Sequence, residues 1–129
     1  LSAFNGDSGV LAVEKNGTEL YLVMSEQNAV FEEPKHAISR VDITEQARIP
    51  LRKKNIYLRV AGDFTTGQDY ARFSYSSDGK KWITIGSPVK MRFDHTRMFM
   101  GSKFAIFNYA TSSIGGYIDV DFFDYQVLK

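Results

Sequence analysis

The sequence of 129 residues contains no cysteine, so disulfides, thiolate metal sites and cysteine nucleophiles are excluded together. It also has no apolar run that approaches the ~20 residues of a membrane-spanning helix. Sixteen Lys and Arg stand against fifteen Asp and Glu, which is not the one-signed excess that marks nucleic-acid-binding proteins. We therefore expect neither a nucleic-acid nor a membrane partner. The compartment stays open, because many secreted bacterial domains lack cysteine, and a secreted or periplasmic location is slightly favoured.

Helical periodicity and proline are scarce as well. Only three prolines occur, and no stretch of ten residues holds a clean helical period. Ten Phe, seven Tyr and ten Gly give an aromatic chain punctuated by glycine, which indicates the all-β class. The length favours one domain with its own hydrophobic core. We therefore predict a single β-sandwich domain over residues 1–129.

A central meander organises the predicted fold. Residues 56–63, 70–76 and 81–85 are β-branched or aromatic at alternate positions, and Asp78-Gly79 between the last two is a strong hairpin signal. Asn16-Gly17 marks a second hairpin, between residues 10–14 and 19–25. These signals predict antiparallel strands joined by tight turns.

The remaining strand signals are weaker or lie towards the end of the chain. Residues 29–31 are a candidate strand, and residues 41–51, which contain Pro50, predict an edge strand or an irregular entry to the meander. Further strands are predicted at 89–93, 104–110 and 117–126. Eight or nine strands with such short connections favour two antiparallel sheets packed face to face.

Alternation assigns each strand an inner and an outer face. The predicted core positions are Ile56, Leu58, Val60, Phe73, Tyr75, Ile118, Val120 and Phe122. The opposite face would present a polar platform with at least one aromatic ring. Its predicted members are Tyr57, Arg59, Arg72, Asp119 and Asp121.

The predicted platform contains one pair of neighbouring carboxylates. Asp119 and Asp121 are two residues apart on one strand, so their Cα atoms would lie roughly 6.5 Å apart. Glycosidases use carboxylate pairs at such separations. A charge pairing across strands with Arg59 and Arg72 is the favoured interpretation. Contact with a ligand or with calcium is a further alternative, and apart from calcium the sequence indicates no cofactor.

Neither histidine indicates a catalytic or metal site. His36 and His95 lie in different predicted loops, without a matching Ser and Asp pattern or a metal-ligand spacing. The short basic run 52–54 is predicted to be a solvated turn, with a docking contact as the alternative.

Three aromatic or amide residues are candidates for contact with a sugar. Trp82 follows the Asp78-Gly79 turn, where it would either close the end of the sandwich or offer a ring on which a sugar stacks. Asn108 and Tyr109 precede the Gly115-Gly116 turn, and a loop with so little side-chain bulk lets a ligand approach closely.

Four stretches together resemble one enzyme family. Residues 1–17, 47–64, 71–86 and 99–123 are similar to the concanavalin A-like C-terminal domain of family 43 glycoside hydrolases, the β-xylosidases and α-L-arabinofuranosidases. The resemblance covers essentially the whole chain and implies a jelly-roll sandwich. Gly62, Met98 and Val120 depart from the family pattern, where Cys, His and an aromatic residue are common.

The resemblance has consequences for activity and partners. The catalytic acids of the family lie in a separate propeller domain. The resemblance therefore implies that this chain contains no catalytic residue and that a propeller domain is its partner. The family domain usually begins before the residue that matches Leu1, so the chain corresponds to about its C-terminal two-thirds. We therefore expect strand exchange in a homodimer, a partner chain or a truncation.

The resulting functional hypothesis is a non-catalytic module that binds xylan or arabinoxylan oligosaccharides. The alternative is a purely structural domain that supports the propeller without binding sugar. A free-standing glycosidase that uses Asp119 and Asp121 is a third, less favoured hypothesis. The predicted sugar-binding residues are Tyr57, Arg59, Arg72, Trp82, Asn108, Tyr109 and Asp119.

Overall fold

Nine β-strands form the regular structure in a computed structural model, which describes residues 1–33, 37–91 and 101–128. The strands are β1 Ser2–Asn5, β2 Asp7–Asn16, β3 Glu19–Glu32, β4 Ala37–Leu51, β5 Tyr57–Asp63, β6 Tyr70–Ser76, β7 Ile83–Thr84, β8 Val89–Lys90 and β9 Lys103–Ala105. Across these ranges, no helix is long and apolar enough to cross a membrane.

The strands form two antiparallel sheets. Sheet A has the order β4-β3-β2-β1-β9, and sheet B has the order β5-β6-β7, with β8 also pairing to β6. Tight turns fix the registers: Asn16 pairs with Glu19 across a turn in which Gly17 has φ 60°. The all-β sandwich and the predicted hairpin at Asn16-Gly17 are therefore confirmed.

The hairpin of β3 and β4 is longer than the sequence pattern indicated. The candidate strand 29–31 is the end of β3, and the uncertain segment 41–51 belongs to the 15-residue β4. Two irregularities in register, between Met24 and Ser25 and between Val30 and Phe31, interrupt the alternation on which the prediction relied. Strand β4 is an edge strand of sheet A, as the proline in it predicts.

The hydrophobic core lies between the two sheets. Sheet A contributes Leu11, Leu22 and Met24, and sheet B contributes Phe73 and Val89. Phe73 is only 1% exposed. A Cβ on Gly9 would lie 2.5 Å from the Phe73 ring, so β2 and β6 approach each other closely at this glycine. The inward orientation predicted for Phe73 is confirmed, and Leu58, Val60 and Tyr75 pack against the same core.

The end of the chain differs from the prediction. Strand β9, Lys103–Ala105, includes only the first two residues of the predicted strand 104–110. Residues 106–128, which include the predicted strand 117–126, contain no strand. Ile118, Val120 and Phe122, predicted to be buried, are 52%, 54% and 65% exposed. Alternation indicates which side chains share a face, but a strand also needs a neighbouring backbone to take its hydrogen bonds. None of the described strands pairs with residues 106–128.

The predicted strands around the Asp78-Gly79 turn and after it are shortened. Strand β7 contains two residues of the predicted 81–85, and β8 contains two of the predicted 89–93. Residues 92 and 93 lie outside the described ranges. The short strands leave the three-stranded meander in place, because β6 remains paired with both of its neighbours.

Substituting Gly9 with alanine should destabilise the sandwich. The added Cβ would meet the Phe73 ring at 2.5 Å and Val89 at 3.0 Å, so the core would have to shift. Overpacking of this kind costs about 1–3 kcal/mol. We expect chemical denaturation to show this loss for Gly9→Ala. Gly101→Ala is the control, because its Cβ would meet no atom of the described residues within 4 Å. Equal stability of the two variants would contradict the proposed contact.

Candidate functional site

The outer face of sheet B brings together three of the predicted platform residues. In the register of β5 and β6, Arg59 lies opposite Ser74 and Ala61 opposite Arg72. Tyr57 and Arg59 on β5 and Arg72 on β6 therefore share the face opposite the buried Phe73. We call this surface, with Trp82 and Tyr70, the sheet B platform.

Trp82 lies on this platform and stacks with Arg59. The guanidinium carbon of Arg59 is 3.6 Å from the centroid of the Trp82 ring. A cation this close to an indole face is attracted by the ring quadrupole, and a stacked guanidinium keeps its N–H donors along its edge. The guanidinium thus covers one face of Trp82, and the pair presents a planar donor group stacked on an indole ring.

Tyr57 is held in place by the turn after β6. A Cβ on Gly79, which has φ 72°, would lie 3.2 Å from the Tyr57 ring. Within the turn, the backbone N–H groups of Lys80 and Lys81 donate to Asp78 Oδ1 at 2.8 and 2.9 Å. The hydroxyl of Ser76 also bonds to this oxygen at 2.9 Å. The bonds from Lys81, Lys80 and Ser76 hold the pKa of Asp78 below its ordinary value.

The other end of the platform is predominantly cationic. Lys90 Nζ lies 4.5 Å from the centroid of the Tyr70 ring and donates to the carbonyl of Gly67 at 3.1 Å. The pKa of Asp63 is lowered, chiefly by a hydrogen bond from the backbone N–H of Thr65 and also by the nearby charge of Arg72. Three cations, Arg59, Arg72 and Lys90, thus share this face with Asp63.

The other predicted site residues are not part of this cluster. Asn108, Tyr109 and Asp119 lie in the exposed segment 106–128. The Tyr109 ring contacts Phe107 at a centroid distance of 5.8 Å and is 69% exposed. A second ring contact in this segment, between Phe122 and Tyr57 at 6.1 Å, connects it to the sheet B platform.

The predicted pairing of Asp119 and Asp121 with Arg59 and Arg72 is wrong. No ion pair joins these four described residues, because segment 117–126 does not form the strand that the pairing requires. Both carboxylates are exposed and do not line a deep cleft. The basic run 52–54 is exposed, as expected for a solvated turn.

A groove that the sequence reasoning missed crosses the outer face of sheet A. Its volume is about 450 Å³. The lining residues are Ser2, Phe4, Gly6, Ser8, Val10, Gln27, Ile38, Ala105 and Phe107. The sequence pattern predicts no strand before residue 10, whereas β1 lies there, with Ser2 and Phe4 on the outer face and Ala3 and Asn5 on the inner face. We call this feature the sheet A groove.

Metal ligands are not grouped in the described ranges. Within residues 1–33, 37–91 and 101–128, no three His, Cys, Asp or Glu side chains come close enough to hold a metal ion. His36, His95 and Met98 lie outside these ranges, so the predictions about them remain predictions.

Comparison with known proteins identifies the family. Residues 2–126 match the family described as Beta xylosidase C-terminal Concanavalin A-like domain. The chain belongs to this family. The two antiparallel sheets agree with this concanavalin A-like domain, and the resemblance seen in the sequence is confirmed. Searches of curated proteins and of solved structures gave no match. In family 43 glycoside hydrolases, this concanavalin A-like domain is the non-catalytic C-terminal domain.

The Asp78-Gly79 turn should make the stability of the domain depend on pH. A depressed pKa in the folded state means that the Asp78 charge stabilises the fold above the unfolded pKa of about 3.9. This stabilisation is lost as the pH falls through the folded pKa. We expect Asp78→Asn to melt at a lower temperature than the wild type at pH 7. The difference should disappear under strongly acidic conditions. A difference that does not change between pH 7 and pH 2 would contradict the assignment.

Proposed function

We propose that this domain is an accessory module that binds xylan or arabinoxylan oligosaccharides through the sheet B platform. The observation that supports it is the placement of Tyr57, Trp82 and two arginines on one outer face. Sequence reasoning selected these four residues, and in the register of β5 and β6 three of them lie on one face. The fourth, Trp82, joins them through its contact with Arg59.

The platform offers the two kinds of contact that a sugar needs. An aromatic ring packs against the apolar face of a pyranose, and the half-buried Tyr57 offers such a ring beside the Trp82 and Arg59 pair. Planar N–H donors of Arg59 and Arg72 suit the equatorial hydroxyls. Because the platform is open, each module would bind weakly, and linkage to a catalytic domain would raise the effective affinity. Asn108, Tyr109 and Asp119 remain candidates for sugar contact from segment 106–128.

Titration of the chain with xylohexaose and with arabinoxylan oligosaccharides tests this proposal. Calorimetry should detect binding to the wild type, and Tyr57→Ala or Trp82→Ala should weaken it about 2- to 10-fold, as expected for loss of one ring contact. Tyr21→Ala is the matched control, because Tyr21 lies on β3 in sheet A, where it contacts Arg48. Absence of binding up to millimolar sugar would reject the proposal.

A second candidate function, support of a catalytic propeller domain, is favoured by the exposed apolar side chains of the C-terminal segment. Large apolar residues are exposed throughout this stretch: Ile114, Tyr117, Ile118, Val120, Phe122, Phe123, Tyr125, Val127 and Leu128. Large apolar patches on a soluble protein mark surfaces that bind a partner. Docking against the propeller of a parent enzyme, or strand exchange with a second copy, would each bury them.

Substitutions in the parent glycoside hydrolase test this structural role. Phe123→Ser removes an exposed ring of the C-terminal segment, and if the segment docks on the propeller, the parent enzyme should melt several degrees lower. Ile83→Ser is the control, because Ile83 is also an exposed apolar residue but lies on sheet B. An unchanged melting temperature and activity for Phe123→Ser would count against docking through this segment.

A further inference from the structure

We propose that the sheet A groove is a second binding site, which takes a neutral, elongated oligosaccharide. This inference rests on the proposed function of the domain as a sugar-binding module, and it adds a site on the opposite sheet. The groove and the sheet B platform lie on the two outer faces of the sandwich, so one module would have two separate surfaces for a polysaccharide.

The shape of the groove follows from the strand order. Ile38 lies on β4 and Phe107 follows β9, and these two strands are the opposite edges of sheet A. A groove lined by both spans the width of the sheet, which is about 19 Å for four spacings of ~4.8 Å. The site therefore suits a ligand that is long and narrow, such as a chain of sugar rings.

Small, buried side chains form the floor of this groove. Ser2 and Val10 are opposite each other in the register of β1 and β2 and are 3% and 6% exposed, although both lie on the face turned away from the core. Phe4 and Gln27 flank the floor and are partly exposed. A volume of about 450 Å³ is within the range of ligand-binding clefts, about 300–1,000 Å³.

The chemistry of the lining selects the class of ligand. None of the described residues that line the groove is ionised. Phosphate groups, uronic acids and charged peptides would find no counter-ion on this lining, and burying an unpaired charge is costly. The hydroxyl of Ser8 and the amide of Gln27 offer hydrogen bonds, while Phe4 and Phe107 offer rings. Rings combined with uncharged donors and acceptors match a neutral sugar.

The sheet B platform differs from the sheet A groove in charge. It carries Arg59, Arg72 and Lys90, so its ligands need not be neutral. A neutral oligosaccharide is therefore the probe that both surfaces accept, and a variant that blocks one surface at a time separates them. Ser8 and Ser74 are suitable positions, because each is a partly exposed serine in the middle of an outer face.

Calorimetric titration with xylohexaose tests the second site. We expect the wild type to bind two oligosaccharides, Ser8→Trp to bind one because the indole fills the groove, and Ser74→Trp to bind one because it fills the platform. If the wild type binds only one oligosaccharide and Ser8→Trp still binds it, the groove proposal is overturned and the proposed function stands. If the wild type binds only one oligosaccharide and only Ser8→Trp abolishes that binding, the groove is supported and the platform is refuted. Absence of binding to the wild type would reject both proposals.

A milder pair of substitutions keeps the test valid if Ser8→Trp does not fold. Phe107→Ala and Gln27→Ala remove a ring and an amide from the groove without adding bulk, and Phe107 is already exposed. Their double variant should weaken the groove site about tenfold and leave the platform site unchanged, with a thermal melt to confirm folding. Unchanged affinity at both sites in this double variant would overturn the proposed site.

Discussion

The close contact between Gly9 and the Phe73 ring sets the orientation of both sheets. Because side chains alternate along a strand, placing Phe73 against β2 turns Arg72 and Ser74 outward on sheet B. In the same way, placing Gly9 against Phe73 turns Ser8 and Val10 to the outer face of sheet A. Both candidate binding surfaces therefore depend on one contact in the core. A change that shifted either strand by one residue would exchange their inner and outer faces.

The two outer faces have different chemistry, although both belong to one small domain. The sheet B platform combines rings with cations, and the contact of Arg59 with Trp82 fixes the relative position of the two groups. The sheet A groove combines rings with hydroxyl and amide groups, and its described lining carries no ionised side chain. Under the two binding proposals above, these unlike faces would hold two parts of one polysaccharide.

The C-terminal segment, residues 106–128, contacts the sheet B platform. Phe122 contacts Tyr57, so a partner that covers the exposed residues of segment 106–128 would reach the edge of the sheet B platform. Docking of this segment on a catalytic domain, as proposed above, agrees with membership of the family of β-xylosidase C-terminal domains. Sugar binding at the platform and docking by the segment would then influence each other through the Tyr57 ring.

The sequence by itself determined the fold class, the hairpins at Asn16-Gly17 and Asp78-Gly79, the inward position of Phe73, the outward positions of Arg59 and Arg72, and the family. These features depend on alternation and on turn residues, which are local properties of the chain. Only the tertiary structure decided that Trp82 stacks on Arg59, that a groove crosses sheet A, and that residues 117–126 are exposed without a strand. Each of these depends on which elements become neighbours, because a ring contact, a groove and a strand ladder all need a partner distant in the sequence.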